Sequence, residues 1–298
     1  MDIFKMTVDS IRHHQLTRER YADMTGKEPP YFSLGEDGKM RHYAVCPGCD
    51  NPVQLIGLVE QAQDGSLYAR HVPKSILGLA TYRDAAYHNC PLAAKNRIHV
   101  DKNTRKIDDA DDVSRKILAT LEEHFDRVIY VLQKSIGIII SQKLAENLLD
   151  DYLAEEGYRY KYASLLNIPW MFAYMSTSKS IVGRIIRDED MKKAILANVQ
   201  HADFSGEQLV RKGKEFLQVN MYFTGHTIQP KERTVEESMR MMISVPGKEK
   251  PTVIYEKRIV FDFEEFQYLL EIPEGKGLRR QEFLDAARKK LEIHFLDR

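Results

Sequence analysis

The spacing of apolar residues along the chain changes character several times. Apolar positions at helix spacing from Val8 to Met24 predict an amphipathic helix, which Gly26 and the Pro29-Pro30 pair would end. From residue 35 to 100 the pattern changes to short strand-like pieces at 41–45, 53–59 and 67–72, separated by Gly and Pro. This segment holds few large apolar residues, so we expect it to need support beyond a core of its own.

From Asp111 onward the apolar residues return at helical spacing, behind an acidic start that suits a helix N-terminus. The apolar face of this predicted helix is Val113, Ile117, Leu118, Leu121 and Phe125. A second helix is predicted from Ser141, a suitable N-cap, to Gly157. Further helices are predicted beside Pro169 and at 191–199.

After Gly213 the period becomes two, which is typical of half-buried strands. Alternation at 217–224 predicts one strand, and 238–261 reads as an antiparallel hairpin around a turn-rich centre. Helices are predicted at 263–271 and 279–295. The sequence therefore predicts an α+β fold with four segments: an N-terminal helical segment (1–34), a zinc-binding module (35–100), a mainly helical region (101–212), and a β hairpin with C-terminal helices (213–298).

Composition narrows the classes of protein to which this chain could belong. The chain has 298 residues, 43% hydrophobic and 30% charged, which is ordinary for a folded globular protein. It carries 44 basic and 44 acidic residues, so any electrostatic recognition must be local. The N-terminus does not resemble a secretory signal, and the longest apolar run, Ile136–Ile140, is too short to cross a bilayer. We expect a cytoplasmic protein without a membrane partner.

Three cysteines provide the clearest chemical signal. Cys46-Pro-Gly-Cys49 has the form of a zinc knuckle, in which two thiolates flank a tight turn, and Cys90 is the obvious third ligand. The fourth ligand of a closed tetrahedral site would be one of His42, His71, His88 and His99. We favour His71, at the end of a strand-like segment, and keep His88 as the alternative. The prediction is one structural zinc ion that stabilises the module.

The runs YAVCPGCDNPVQLIG, DGSLYARHVPK and HNCPL together resemble the N-terminal zinc module of competence-protein CoiA-like bacterial proteins. The resemblance covers residues 40–95. The family pattern has two histidines around a Phe-Ala pair, whereas this sequence has His71 alone. The resemblance implies a zinc-finger module in a bacterial protein that handles DNA, in competence, mobile elements or phage defence, and some members carry a nuclease domain.

Two segments contain residues suited to nucleic acid. One is the basic run after the module, with Lys95, Arg97, Arg105 and Lys106 as candidate phosphate contacts. The other is Tyr158–Tyr162, which alternates tyrosines with Arg159 and Lys161. If it were a strand, the tyrosine rings could stack on bases and the cations could contact phosphates. The alternative, which we favour for the tyrosines, is that these rings pack in the core.

We therefore expect a zinc-stabilised protein that binds nucleic acid or a nucleic-acid-processing partner. One alternative is a metal-dependent nuclease, either HNH-like with His71 as the base or restriction-like around Glu274-Gly-Lys276. Another is an adaptor whose zinc module binds a protein. No motif in the sequence identifies a catalytic residue.

Overall fold

A computed structural model describes residues 1–35, 37–58, 67–93, 98–99, 101–106, 112–231, 234–273, 275–277 and 279–296. These residues form mixed helix and antiparallel sheet, which confirms the predicted α+β class. The strands are β1 (Ile3–Phe4), β2 (His14–Gln15), β3 (Phe32–Leu34), β4 (Met40–Val45), β5 (Pro52–Ile56), β6 (Tyr68–His71), β7 (Ile98–His99), β8 (Lys179–Ser180), β9 (Ala202–Ser205), β10 (Gln208–Arg211), β11 (Asn220–Lys231), β12 (Thr234–Val245) and β13 (Thr252–Val260). The helices are α1 (Arg18–Thr25), α2 (Asp84–His88), α3 (Asp112–Ile136), α4 (Gln142–Ala154), α5 (Ile168–Tyr174), α6 (Glu189–Asn198), α7 (Phe263–Glu271) and α8 (Gln281–Leu296).

The N-terminal segment differs from its prediction. The helix predicted from Val8 begins only at Arg18, and the residues before it form a small ribbon in which β1 pairs with β2. Lys5 explains the extended backbone, because its N–H and C=O both hydrogen-bond to Val45 at 2.9 Å. These bonds tie the segment to the edge of β4 and leave it unable to coil. The helix end was predicted correctly: Gly26 follows α1 in the left-handed region at φ +57°.

The segment predicted to be a zinc-binding module, 35–100, supplies three strands of a four-stranded antiparallel sheet in the order β3-β4-β5-β6, and β3 comes from the end of the preceding segment, which was predicted to be helical. Its strands β4, β5 and β6 correspond to the three predicted pieces, although β5 ends earlier than predicted. Tight turns and the following short helix α2 bring the ends of β4 and β6 towards Cys90. The predicted strand pattern therefore holds here despite the small number of apolar residues.

The helical region follows its predicted pattern closely. All five residues predicted for the apolar face of α3 are buried. Ser141 is the N-cap of α4, and its hydroxyl accepts a hydrogen bond from the Leu144 N–H at 3.3 Å. The helices at Pro169 and 191–199 correspond to α5 and α6.

The second sheet has the order β13-β12-β11-β7, and β8 also pairs with β11. The predicted hairpin is confirmed as β12 and β13, while the strand predicted at 217–224 is shifted and longer, since β11 continues to Lys231. Predicted helix 263–271 matches α7, and 279–295 matches α8 within two residues.

One cluster of buried side chains runs through most of the described chain. It joins Cys90 and Leu92 of the module to Ile117 and Leu121 of α3, and continues to Met241 of the second sheet. A second small cluster lies inside the module, around Tyr43 and Val45. The module therefore gains part of its apolar support by packing against the helical region, which reduces the burden on its own small core.

Candidate metal centre

Four side chains of the module converge at one point. Cys46 follows the last residue of β4, Cys49 lies in the same loop, His71 ends β6, and Cys90 comes just after α2. The three sulfurs and one imidazole nitrogen all lie within 4.8 Å of one another. This arrangement could hold a metal ion, and it contains the four residues that the sequence singled out. Among the described residues it is the sole group of three or more His, Cys, Asp or Glu with that property.

The knuckle turn has the backbone that this convergence needs. The Asp50 N–H donates to the Cys46 carbonyl at 3.0 Å, and the Cys46 N–H donates to the Asn51 carbonyl at 2.8 Å. Asp50 lies in the left-handed region at φ +60°. A Cβ atom on Gly48 would lie 3.2 Å from the Cys90 sulfur. Glycine at this position therefore allows Cys90 to approach the loop closely.

The ligand atoms form two close pairs. Cys46 Sγ lies 3.7 Å from Cys90 Sγ, and Cys49 Sγ lies 3.3 Å from His71 Nε2. The His71 ring is held edge-on against the Tyr87 ring, with 5.2 Å between centroids. Because Nε2 faces the sulfurs, it is the nitrogen that would bind the ion.

Asn51 supports the cluster from outside. Its side-chain N–H₂ lies 3.5 Å from Cys49 Sγ and donates to the Arg83 carbonyl at 3.0 Å. Its side-chain oxygen accepts the Arg83 N–H at 2.7 Å. One buried amide thus joins the knuckle to the start of α2, the helix that leads to Cys90. Such supporting hydrogen bonds orient metal ligands.

The electrostatics of the three buried thiols are tightly coupled. Burial and the neighbouring sulfurs raise the pKa of Cys90, and burial and the contact with Cys46 raise that of Cys49. Burial also opposes ionisation of Cys46, but hydrogen bonds from the other two thiols and the nearby His71 hold its pKa well below the usual value. Cys46 is therefore the thiol whose ionisation the surrounding protein favours most. A divalent cation at the centre would supply the charge that ionises the remaining two.

The other candidate histidines do not join the cluster. His88 is exposed and lies 3.5 Å from the Asp84 carboxylate. His42 is buried elsewhere, with its ring edge-on to Phe32 at 4.1 Å. The side chain of His99 lies outside the described residues. Among the candidate histidines whose side chains are described, His71 is the one that lies beside the sulfurs.

A buried group of charges lies beside the knuckle, and sequence reasoning missed it. The Asp50 carboxylate forms ion pairs with Lys5 and Lys116. Lys5 also donates to the carbonyls of Val8 and Ser10, at 3.2 and 3.1 Å. Burial lowers the pKa of Lys5, and the Asp50 charge opposes that shift. These contacts join the N-terminal segment, the knuckle and α3, and no local spacing in the sequence indicates them.

The two predicted nucleic-acid segments meet in space. The Lys106 N–H donates to the Arg159 carbonyl at 2.8 Å, and the Lys161 N–H donates to the Thr104 carbonyl at 2.9 Å. We call the four partly exposed cations of these paired segments, Lys102, Arg105, Arg159 and Lys161, the basic ribbon. Lys95 and Arg97 lie outside the described residues.

The cations differ in their surroundings. Lys106 is buried, and its ammonium donates to the Ser114 hydroxyl and the Tyr158 carbonyl, both at 3.3 Å. It is therefore a core residue, and as it lies it does not reach a phosphate. Arg105 donates to the carbonyls of Lys102 and Glu155 at 2.8 Å each, and Arg159 pairs with Glu156 at 2.9 Å.

The tyrosines of the second segment lie in the core, as the favoured interpretation has it. Gly157–Arg159 is a turn of 3₁₀ helix, and Tyr158, Tyr160 and Tyr162 are all buried. The Tyr158 hydroxyl lies 3.2 Å from His294 Nε2 on α8. The strand that the base-stacking alternative required does not form here. Bases could not stack on these rings as they lie.

Sequence reasoning also missed a buried polar network in the C-terminal half. The Tyr160 hydroxyl lies 2.7 Å from His226 Nδ1, and His226 Nε2 lies 2.7 Å from Glu237 Oε1. The Asn167 side-chain N–H₂ donates to the same Glu237 oxygen at 2.6 Å. A β-bulge positions the histidine, because Gly225 and His226 together oppose Met239 alone on β12. The interruption of the period-two pattern at Gly225-His226 is the one sequence signal that could have indicated it.

His71 of the HNH-like nuclease candidate lies in the cysteine cluster. His71 Nε2 faces the Cys49 sulfur, so a bound ion would occupy the nitrogen that an HNH base needs. Glu274 of the restriction-like candidate lies outside the described residues.

Along the described chain, none of the helices combines the length and apolar character that a bilayer span requires. No family model, curated protein or solved structure matches this chain. Fold and site thus define an α+β protein with a cluster of three buried cysteines and one partly exposed histidine.

Proposed function

We propose that the cluster of Cys46, Cys49, His71 and Cys90 binds one structural zinc ion, and that the protein binds nucleic acid through the basic ribbon beside it. The convergence of three sulfurs and one imidazole within 4.8 Å carries the zinc proposal. Zinc suits this donor set, because tetrahedral sites with three thiolates and one imidazole are a common structural form. Four protein ligands leave no open position for substrate, which favours a structural role over a catalytic one.

The nucleic-acid proposal is supported by the pairing of two basic segments that are far apart in sequence. Their hydrogen-bonded backbones place four partly exposed cations close together. Lys106 and Ala163, which flank the ribbon, line the same small pocket as Gly48 and Cys49 of the knuckle. A metal-stabilised module could therefore hold the ribbon in place. Glu155 and Glu156 partly neutralise it, so we expect moderate, salt-dependent affinity rather than tight binding.

The resemblance to CoiA-like zinc modules supports the same setting. It suggests that the nucleic acid is DNA in a bacterial or mobile-element context. The adaptor hypothesis predicts that the ribbon does not contact nucleic acid and that the module binds a protein instead. The nucleic-acid hypothesis predicts that the protein binds an oligonucleotide with an affinity that falls as salt increases, and the adaptor hypothesis does not.

The zinc proposal is tested by elemental analysis of the purified protein and two histidine variants. We expect one zinc per chain in the parent protein, and a large loss of zinc in His71→Ala. His88→Ala is the matched control, since His88 is exposed and outside the cluster, and it should retain the metal. Zinc retained in His71→Ala but lost in His88→Ala would contradict the assigned ligand, and absence of bound metal from the parent protein would contradict the site.

The nucleic-acid proposal is tested by fluorescence anisotropy with a labelled oligonucleotide at several salt concentrations. Arg159→Gln with Lys161→Gln removes two ribbon cations, and each lost phosphate contact should reduce the slope of log affinity against log salt by about one. Lys193→Gln, an exposed cation on α6, should leave the slope unchanged. An equal effect of the control, or no binding by the parent protein at low salt, would rule out the ribbon and favour the adaptor.

A further inference from the structure

A cleft of about 510 Å³ opens on another part of the molecule, between the N-terminal ribbon and the second sheet. Ile3 of β1 and Gln15 of β2 form one side. Val260 at the end of β13 and Phe263 at the start of α7 form the other. The cleft is large enough for a small molecule, and it is separate in sequence from the four metal-ligand candidates and from the basic ribbon.

The charged groups that line the cleft all have the same sign. They are the carboxylates of Asp2, Asp262 and Glu264, and no Lys or Arg appears among the described residues that line it. Asp262 accepts the Glu265 N–H at 3.0 Å as the N-cap of α7, and Asp2 lies 3.4 Å from the Gln15 amide. Within the described chain none of the three carboxylates forms a salt bridge with a basic side chain. Two cations outside the lining act on these carboxylates, since the Asp2 charge opposes the lowering of the pKa of the Met1 ammonium and the Asp262 charge helps to raise the pKa of Lys134. The charged side chains among the described lining residues are nevertheless all acidic.

His13 in the wall of the cleft adds an independent observation. Its side chain is more than nine-tenths buried, and its Nδ1 has no hydrogen-bond partner among the described residues. Burial lowers the pKa of His13 to about 4, although the contact with Gln267 opposes the shift. The imidazole is therefore neutral at physiological pH. It lines the cleft without cancelling the carboxylate charge.

Aromatic rings complete the walls. The Phe261 and Phe263 rings lie 6.4 Å apart at 69°. Phe261 is held in position by stacking on Trp170, with 4.8 Å between centroids and 8° between planes. Such rings attract cations over their faces and also bury apolar groups. Carboxylates at the rim and fixed aromatic rings in the wall are the features that recognise an organic cation.

We propose that this cleft binds a small organic cation, in which an amine or amidinium group is carried on an apolar body. The cationic group would lie among Asp2, Asp262 and Glu264, and the apolar body would contact Phe263 and Val260. A purely inorganic cation would leave the aromatic wall unused, and a neutral apolar molecule would leave the carboxylates unpaired. The two halves of the cleft therefore select the same class of ligand.

The test compares benzamidine with benzamide, because the two have nearly the same shape and only benzamidine is charged at neutral pH. Binding to the full-length protein is followed by NMR shifts and calorimetry. We expect saturable binding of benzamidine and at least about tenfold weaker binding of benzamide. Equal affinities, or no saturable binding of benzamidine up to its solubility limit, would overturn the proposal.

Variants locate the binding site. Glu264→Gln should weaken benzamidine several-fold, and Glu264→Lys should weaken it by about tenfold or more, since it places a cation in the cleft. Glu264 is exposed and does not cap a helix, so both variants should fold. Glu249→Lys, in the exposed turn between β12 and β13, is the matched control for a change in net charge. Equal weakening by Glu249→Lys would mean that the cation is attracted by overall charge and not by this cleft.

Discussion

Two polar sites in this protein differ in how fully the surrounding protein satisfies their polar groups. In the cysteine cluster, three buried thiols and one partly exposed imidazole face one another, and none of the four groups is a basic side chain of Lys or Arg. In the network of Tyr160, His226, Glu237 and Asn167, hydrogen-bond donors and acceptors satisfy one another at 2.6 to 2.7 Å. The proposed zinc ion would complete the first arrangement, whereas the second is nearly complete within the described chain.

The two sites also occupy different kinds of structure. The cluster connects loops and strand ends in a module with a small core of its own. The network lies inside a helix–sheet core, where the His226 ring stacks within 11° of the Phe261 plane. One oxygen of Glu237 has no hydrogen-bond partner among the described residues. The comparison teaches that the stability of the module should depend on metal, and that the stability of the helix–sheet core should not.

The largest expected decrease in the free energy of unfolding follows from loss of the metal. Cys90→Ser should remove bound zinc and lower the free energy of unfolding by several kcal/mol, a fraction of the roughly 10 kcal/mol that zinc can supply to peptide sites. The full amount is not expected, because Leu92 belongs to the large buried cluster that also contains residues of α3 and β12. Denaturant unfolding with and without a chelator measures the effect.

The variant also provides the internal control. A chelator should destabilise the parent protein strongly and Cys90→Ser hardly at all, since the variant has no site left to empty. Equal sensitivity of the two proteins would show that the chelator acts elsewhere. An unchanged unfolding free energy in Cys90→Ser would mean that the module folds without the ion.

The next largest decrease in the free energy of unfolding is expected when the buried network around Glu237 is disrupted. Glu237→Ala removes the acceptor for His226 and Asn167 and leaves both groups buried, and each buried polar group left without its partner typically costs about 1–3 kcal/mol. This loss should be the same in the presence and absence of chelator. A chelator-dependent loss would show that the two regions are coupled, and would break the comparison.

Glu236 is the matched control for this prediction. It precedes Glu237 on β12 and its carboxylate pairs with Lys231 and Arg258 near the surface. These partners hold the pKa of Glu236 at about 2. Surface pairs contribute little, so Glu236→Ala should cost about 1 kcal/mol or less at neutral pH. Similar losses of unfolding free energy in both variants would mean that the burial of Glu237 does not determine the size of the loss.

The same contrast explains what the sequence could predict. The cysteine ligands were visible because a Cys-x-x-Cys spacing is local and few folds use it otherwise. The α+β class and most helices followed from periodicity, which α3 and the β12–β13 hairpin obey. The choice of His71 over His88 needed the register that places the end of β6 beside the knuckle.

The network could not be predicted in this way. Its members at 160, 167, 226 and 237 share no spacing, and they meet only because of the turn after α4 and a bulge in β11. The N-terminal helix was overpredicted for a similar reason. Helical periodicity at Val8 does not reveal that Lys5 pairs with Val45 and with Asp50, which are forty or more residues away. Long-range polar contacts override local propensity at both places.

The smallest expected effect tests how His226 reaches the network. Gly225 lies in the left-handed region at φ +65°, and a Cβ atom there would lie 2.7 Å from the Arg240 guanidinium. Gly225→Ala should therefore cost the roughly 1 kcal/mol or more of left-handed strain and also displace Arg240. Gly206→Ala is the matched control, because Gly206 has φ +62° and open space around it. Comparing the two unfolding free energies isolates the contribution of the bulge. If the bulge positions His226, Gly225→Ala should be the more destabilising and should shift the NMR signals of the His226 ring, whereas equal losses with an unchanged ring would mean that the bulge is incidental to the network.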